Sequence, residues 1–214
     1  MNTNLHESAL DVVNEALGIL RQDKELTLAG LNGEDRSPLA RKCARAYEPA
    51  RLEVLLARNW NFCRRTVACP PVFDHAERMF RAAVPGGALK VESVYGEGNV
   101  PLDGWTIRAD GTILSLDPIV RVGVVDASRN VDRWPAFVRR ALVHCLARDL
   151  AIPVTGRQND LKICQSLYAE ALETAALHDA RENNSSRDAW GRNAYADAIL
   201  GRGQHERNFR RRAR

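Results

Sequence analysis

The first 65 residues contain two stretches in which apolar side chains recur at helical spacing. The first stretch predicts a helix over about 5–20. Ser37 followed by Pro38 is a typical helix start, and a second apolar stripe follows it. Pro49 lies inside that stripe, so we expect it to kink or split the second helix.

The region from 66 to 128 has a different pattern, in which glycines and prolines separate short β-branched runs. This pattern predicts a small antiparallel β-rich insertion. Asp110 and Gly111 are expected to lie in the turn of a hairpin. The predicted strands are residues 89–95, 105–108, 112–116 and 119–125.

Helical spacing returns after the insertion. Trp134 and Pro135 open a helix that is expected to continue to about Ile152, where Pro153 would stop it. A further apolar seam predicts a helix over about 157–182. Because the connections on either side are short, the helices are expected to be antiparallel neighbours.

These elements together predict a mainly α protein. We expect an antiparallel four-helix bundle with a small antiparallel β-hairpin insertion and an extended C-terminal tail. The predicted segments are the N-terminal helices 1–65, the insertion 66–128, the C-terminal helix pair 129–182 and the tail 183–214. The predicted core aromatic residues are Tyr47, Trp60, Phe62, Trp134, Phe137 and Tyr168.

The composition supports a folded chain with an unusual C-terminal segment. The 214 residues are 45% hydrophobic and 27% charged, which is typical of globular domains. The net charge is +4, yet residues 183–214 hold eight arginines against three acidic residues, so the rest of the chain carries a small negative charge. A basic tail of low hydrophobicity is expected to be solvated or to become ordered only on a partner.

The sequence also bears on the cellular compartment. No apolar run is long enough to span a bilayer, and the first residues do not form a signal peptide, so we expect synthesis in a cytoplasm without export. The chain has five cysteines at irregular spacing and no CxxC pair. This pattern favours reduced and mostly buried thiols over a disulfide framework or a zinc knuckle.

Several residues of chemically useful types form no pattern that a reaction requires. The spacing of Cys63, Cys69 and His75 matches no zinc site, and we interpret them as packing residues and a surface histidine. His144 and Cys145 are neighbours on a helix and point about 100° apart, so we expect a solvated histidine beside a core cysteine. We therefore predict no catalytic residue, metal site or cofactor.

The tail is the segment whose composition favours a binding role. Ser186 is expected to cap a short helix over 187–200, which Gly201 would end. Arginine forks suit carboxylates and phosphates equally, and aromatic residues serve both protein interfaces and single-stranded nucleic acid. The candidate docking residues are Arg187, Trp190, Arg192, Tyr195, Arg202, Arg207, Phe209, Arg210, Arg211 and Arg212.

Two segments of the chain together carry a resemblance to a known family. The first comprises Ala16-Leu17-Gly18, Cys43-Ala44-Arg45-Ala46-Tyr47, Ala50-Arg51-Leu52-Glu53-Val54-Leu55-Leu56 and Trp60-Asn61-Phe62-Cys63. The second comprises Trp134-Pro135-Ala136-Phe137, Ala141-Leu142, Leu146-Ala147, Leu150-Ala151, Tyr168, Ala171-Leu172, Ala175 and Asp179-Ala180-Arg181. In their order and spacing these segments resemble the tail tubular protein A family, the head-to-tail adaptors of short-tailed bacteriophages.

The resemblance covers about residues 5–182 and includes a hairpin at 106–116. Three positions depart from the family pattern. Pro49 interrupts a helix that is usually continuous, Cys63 replaces a usual alanine, and Val124 stands where an aromatic residue is common. The tail matches only in being a basic extension.

The resemblance implies a structural protein without enzyme activity. Such a protein would form a homo-oligomeric ring, a dodecamer in the family, beneath the portal protein at the head–tail junction of the virion. The tail nozzle, a tail tubular protein B-like component, would assemble on the ring, and genomic DNA would pass through without sequence readout. The tail 183–214 would become ordered on docking to the portal. Assembly would take place in the host cytoplasm.

Three alternatives remain open at the level of sequence. The arginine-rich tail could make the protein a nucleic-acid-binding module. Carboxylates of the insertion could supply a cell-wall hydrolase, since glycoside hydrolysis uses two acids at a set separation. The candidate acids are Glu92, Glu97, Asp103 and Asp110. The connector of long-tailed phages shares the helical core, although its members generally have a smaller insertion.

Overall fold

The computed structural model describes residues 3–22, 25–31, 37–127 and 130–199, with side chains described between residues 7 and 182. Its helices are α1 (Thr3–Ile19), α2 (Leu28–Leu31), α3 (Pro38–Leu56), α4 (Ala136–Thr155) and α5 (Gln158–Ile199). Its strands are β1 (Arg64–Ala68), β2 (Val72–Asp74), β3 (Met79–Ala83), β4 (Ala88–Tyr95), β5 (Trp105–Ile107), β6 (Thr112–Ser115) and β7 (Arg121–Asp126). No helix in these ranges has the length and apolar character of a membrane span.

The fold is α+β, so the prediction of a mainly α four-helix bundle is wrong. The insertion contains seven strands in two antiparallel sheets rather than one small hairpin. In the first sheet β7 lies between β1 and β4, and in the second the order is β2-β3-β6-β5. Both sheets contribute side chains to one apolar cluster, as packed sheets do, which makes the insertion a folded layer with its own core.

The long helices share a separate and larger core. Helix α4 lies at its centre, because α1, α3 and α5 all pack against it. Every residue from 141 to 147 of α4 is buried, which is the pattern of a helix surrounded by others. Trp60 is fully buried in this core, and its indole Nε1–H donates to the carbonyl of Val54 at 2.7 Å.

Local sequence signals explain where the helices begin. Ser37 caps α3, because its hydroxyl accepts the backbone N–H of Ala40 at 3.2 Å and Pro38 occupies the first turn. Pro49 does not split α3, which continues to Leu56. Buried side chains on both sides of Pro49 offset the hydrogen bond that a proline removes.

Two predicted helix ends are wrong. Pro153 does not stop α4, which ends two residues later with Gly156 in the left-handed region at φ 69°. The carbonyl of Pro153 accepts the Lys42 ammonium at 2.6 Å, which ties this last turn to α3. Helix α5 does not end near residue 182, and no separate helix starts at Ser186, since one helix runs from Gln158 to Ile199.

Candidate functional site

The point where α5 leaves the core is held by a pair of hydrogen bonds. The backbone N–H of Asn61 donates to Asp179 Oδ1 at 2.9 Å, and Asn61 Nδ2 donates to the Asp179 carbonyl at 2.8 Å. Asn61 begins the 3-10 turn that leads into β1, so one residue joins α5 to the start of the insertion. Beyond Asp179 the helix continues for about 30 Å at 1.5 Å per residue.

An exposed apolar surface lies beside this point. Phe137 stacks on the ring of His178, with centroids 3.5 Å apart and planes 9° from parallel. Phe137 is 38% exposed and Leu177 is 60% exposed. The predicted core position of Phe137 is therefore wrong, because the start of α4 faces outward at this residue.

The other predicted core aromatic residues face the helical core to different degrees. Trp60, Trp134 and Tyr168 are buried. Tyr47 and Phe62 are partly buried and pack against the same cluster. Phe62 also contacts the Trp134 ring, with centroids 5.5 Å apart.

The ten candidate docking residues lie in or after the last part of α5. The backbone of α5 contains Arg187, Trp190, Arg192 and Tyr195, whose side chains are outside the described part of the structure. The other candidates lie outside the described residues altogether, namely Arg202, Arg207, Phe209, Arg210, Arg211 and Arg212.

The insertion presents a second exposed apolar surface. Its two-sheet arrangement leaves β2 and β5 as the edges of the four-stranded sheet. Phe73 of β2 and Ile107 of β5 are 41% and 45% exposed, and Val72 of β2 is also exposed. We name these three residues the insertion edges. Unpaired backbone groups beside apolar side chains are the features through which sheets associate.

Two of the four carboxylates considered for hydrolysis, Glu92 and Asp110, make structural contacts. Glu92 of β4 accepts from Arg64 at 2.5 Å and from Asn59 at 3.3 Å. Asp110 lies in the turn between β5 and β6, where its carboxylate accepts the backbone N–H of Thr112. This hydrogen bond lowers the pKa of Asp110, whereas a general acid for glycoside cleavage needs a raised pKa.

One cluster of potential metal ligands occurs among the described residues, formed by Glu53, Cys145 and Asp149. The guanidinium of Arg148 already binds the two carboxylates. It donates to both oxygens of Glu53 at 2.8 and 2.7 Å and to Asp149 at 2.9 and 2.7 Å, and it lies over the ring of Tyr168. We name this group the Arg148 cluster.

The pKa values of the Arg148 cluster indicate a structural role. Hydrogen bonding from Arg148 lowers the pKa of Glu53, so this carboxylate stays ionised. Burial raises the pKa of the Cys145 thiol to about 12, so the thiol stays protonated near neutral pH. Burial also raises the pKa of Tyr168. The cluster therefore joins α3, α4 and α5 through one cation that is already bound.

The remaining cysteines match the prediction of reduced thiols. Cys43, Cys63, Cys145 and Cys164 are free and buried, and Cys69 is partly buried. Cys63 donates its S–H to the Trp60 carbonyl at 3.3 Å, which occupies it in packing. His75 is exposed and contacts Phe73. Cys63, Cys69 and His75 do not form a ligand group in the described part of the chain.

The prediction of a solvated His144 is wrong. Its side chain is only 8% exposed, because α1, α3 and α5 all pack against α4. The sequence signal for this was present as a histidine inside a run of apolar residues from 141 to 147. No local sequence pattern indicated the hydrogen bonds between Asn61 and Asp179, because they join segments that are distant in the chain.

No protein-family model matches the chain, and a search of curated proteins gives no match.

Proposed function

We propose that the protein is a head-to-tail adaptor of a phage virion. It forms a homo-oligomeric ring, taken to be a dodecamer, beneath the portal, receives the tail nozzle and lets genomic DNA pass. The observation that carries the proposal is the length of α5, which runs as one helix from the core into the arginine- and tryptophan-containing segment. A helix that leads a basic segment away from its anchor presents it to a partner.

The proposed docking segment gains from its continuity with α5. An isolated helix over 187–200 must nucleate, and short isolated helices are marginal in water. Residues 183–199 instead continue a helix that the core already holds, so each residue only propagates it. Continuity therefore reduces the ordering entropy that docking to the portal must offset.

The insertion edges have a separate role in this proposal. Phe73 and Ile107 lie on opposite edges of one sheet, so each molecule presents two apolar borders. In a ring, such borders suit contact with neighbouring subunits or with the nozzle. The DNA channel needs no groups that read bases, because DNA slides through it.

Portal binding by the full chain and by a variant lacking 183–214 tests the proposal. The cognate portal protein is mixed with each chain, and binding is followed by sedimentation and by negative-stain imaging. We expect rings on portals with the full chain and loss of portal binding with the deletion. A matched control is Arg157→Gln, since Arg157 is an exposed arginine at the opposite end of α5. Failure of the full chain to bind, or unchanged binding of the deletion, contradicts the proposal.

A nucleic-acid-binding module is the second candidate, because residues 183–214 carry eight arginines. Binding of duplex DNA by the isolated chain, measured against salt, separates the two functions. Phosphate contacts give an affinity that falls steeply with salt. Tight, salt-sensitive duplex binding together with absent portal binding favours this second function.

A further inference from the structure

Helix α4 carries an arginine and a histidine one turn apart that line two adjoining spaces. Arg140 and His144 form part of an open groove of about 820 Å³ between α1 and α4. They also line a small cavity of about 40 Å³ between α4 and α5. The groove lies within the usual size range of small-molecule sites, and the small cavity has room for a single water-sized atom.

The imidazole of His144 is buried with one nitrogen unsatisfied. The side chain is 8% exposed, and Nδ1 has no hydrogen-bond partner among the described residues. Arg140 Nε donates to His144 Nε2 at 3.5 Å, so Nε2 is the acceptor nitrogen. In a neutral imidazole the proton then resides on Nδ1, which makes Nδ1 a buried donor that needs an acceptor.

The two neighbouring arginines differ in their partners. Arg139 donates to Glu15 at 3.0 Å and lies 4.0 Å from Asp11. Arg140 makes no ion pair within the described part of the chain, and His144 is its hydrogen-bond partner there. Glu15 and Glu170 line the two spaces, and neither lies within ion-pair distance of Arg140. The site thus combines an unpaired cation with a buried N–H donor.

We propose that Arg140 and His144 form a binding site for an oxyanion, a carboxylate or a phosphate group. The Arg140 guanidinium donates to one anionic oxygen in the groove, and a shift of the imidazole that opens Nδ1 of His144 to the groove lets it donate to another. Charge-assisted hydrogen bonds of this kind are the stronger ones in proteins, and a guanidinium presents several donors to an oxyanion. The rest of the ligand lies in the groove between α1 and α4.

Imidazole ¹⁵N NMR on the full chain at pH 7.5 tests this site. The resonances of His144 are assigned by their absence from His144→Gln. Inorganic phosphate and citrate are titrated separately at constant ionic strength. We expect saturable shifts of the His144 resonances with at least one of the two anions.

Two arginine variants give a matched comparison. Arg140 is exposed, so Arg140→Gln removes the unpaired cation without disturbing the core. We expect its affinity to fall about tenfold or more, because it loses a charge-assisted hydrogen bond. Arg139→Gln removes a cation that Glu15 already holds, and its affinity should stay within about threefold of the wild type. Thermal unfolding of each variant confirms that it folds.

The source of the oxyanion is distinguished by sedimentation. If an acidic side chain of a second copy is the natural occupant, the wild type self-associates and phosphate competes the copies apart. If a free anion is the occupant, the wild type binds phosphate or citrate without self-association through this site. Both results support the site. Absence of saturable shifts with both anions, or equal affinity in Arg140→Gln and the wild type, overturns it.

Discussion

The helical region and the insertion are stabilised in different ways. The helical core contains 29 buried residues in the described chain, all but Val125 of β7 contributed by four long helices and their connections, whereas the insertion cluster contains seven. Surface ion pairs support the insertion, such as Arg64 with Glu92 and Arg81 with Asp74. The arginine of the Arg148 cluster is more buried than the arginines of these pairs, since its side chain is 20% exposed against 39% for Arg64 and 54% for Arg81.

This difference indicates where the folding stability of the chain resides. Buried apolar area is the main source of folding free energy, so the helices carry most of it. The insertion keeps Phe73 and Ile107 exposed at its edges. Exposed apolar side chains add no folding free energy to an isolated sheet. A stable body beside a layer with open edges suits a component that must associate without unfolding.

The largest loss of stability is expected from a substitution in the helical core, at Trp60. Trp60→Ala removes a fully buried indole and its hydrogen bond to Val54, and we expect a loss of about 3–5 kcal/mol in the free energy of unfolding. Urea unfolding followed by circular dichroism measures it. Trp60→Phe is the control, because it keeps an aromatic ring and should lose less. If Trp60→Ala loses less unfolding free energy than the insertion variant Gly123→Ala, the assignment of stability to the helices is contradicted.

Arg148→Met comes next in expected effect. It leaves Glu53 and Asp149 without their shared cation, and we expect a loss of about 2–3 kcal/mol for this partly buried network. Arg157→Gln removes an exposed arginine and should stay within about 0.5 kcal/mol of the wild type. Equal stabilities of the two variants in urea would show that the cluster contributes little.

The pH dependence of the Arg148 effect has a defined sign. Arg148 lowers the pKa of Glu53 in the folded state below the ordinary 4.5. The unfolded chain therefore binds a proton at Glu53 first, and this stabilisation is present above pH 4.5 and lost as the pH falls through the folded pKa. The gap between wild type and Arg148→Met should narrow as urea unfolding is repeated below pH 4.5. A gap that is constant with pH contradicts the ion pair as its cause.

In the insertion the sharpest test is Gly123 of β7. A Cβ at this position would lie 2.3 Å from Ser93 Oγ on β4. We expect Gly123→Ala to lose about 1–2 kcal/mol, because the Ser93 hydroxyl or the central strand must shift. The double variant with Ser93→Gly should recover part of that loss. Gly104→Ala is the control, since nothing lies within 4 Å of its Cβ position. Similar unfolding midpoints for the two alanine variants would contradict the close approach.

The smallest effect is expected at His144. Burial and Arg140 lower its pKa below the ordinary 6.5, against an opposing effect of Glu170 on α5, and Glu15 and Arg139 line the groove on the α1 side. The unfolded chain therefore takes up the proton first, and stability falls as the pH drops below 6.5. His144→Gln should flatten the change in melting temperature between pH 7.5 and 5.5. Arg157→Gln should keep the wild-type slope, and identical slopes for wild type and His144→Gln would contradict the pKa shift.

The sequence predicted the elements whose signals are local. The cap at Ser37, the start at Pro38 and the turn at Asp110 and Gly111 depend on neighbouring residues, and the structure confirms them. The strands β4 to β7 were found because β-branched runs are bounded by turn residues. The buried cysteines were also predicted correctly.

Elements that depend on distant contacts were missed. Strand β1 shows mostly exposed residues and two arginines, so no alternation marks it, and it forms because Arg64 to Ala68 pair with β7. Strands β2 and β3 lack clear signals for the same reason. Burial of His144 follows from three helices around α4, and the apolar run from 141 to 147 was its one local sign. The docking role of the C-terminal segment stays a prediction.

The pairing of β1 with β7 brings together the two ends of the insertion. Arg64 at its start is the register partner of Val125 near its end, so the chain leaves the helices and returns to them at nearly one place. Because its two ends lie together, the insertion can be lengthened, shortened or replaced without altering the path of the helices on either side. We therefore expect changes of length or sequence in this segment to leave the helical frame in place.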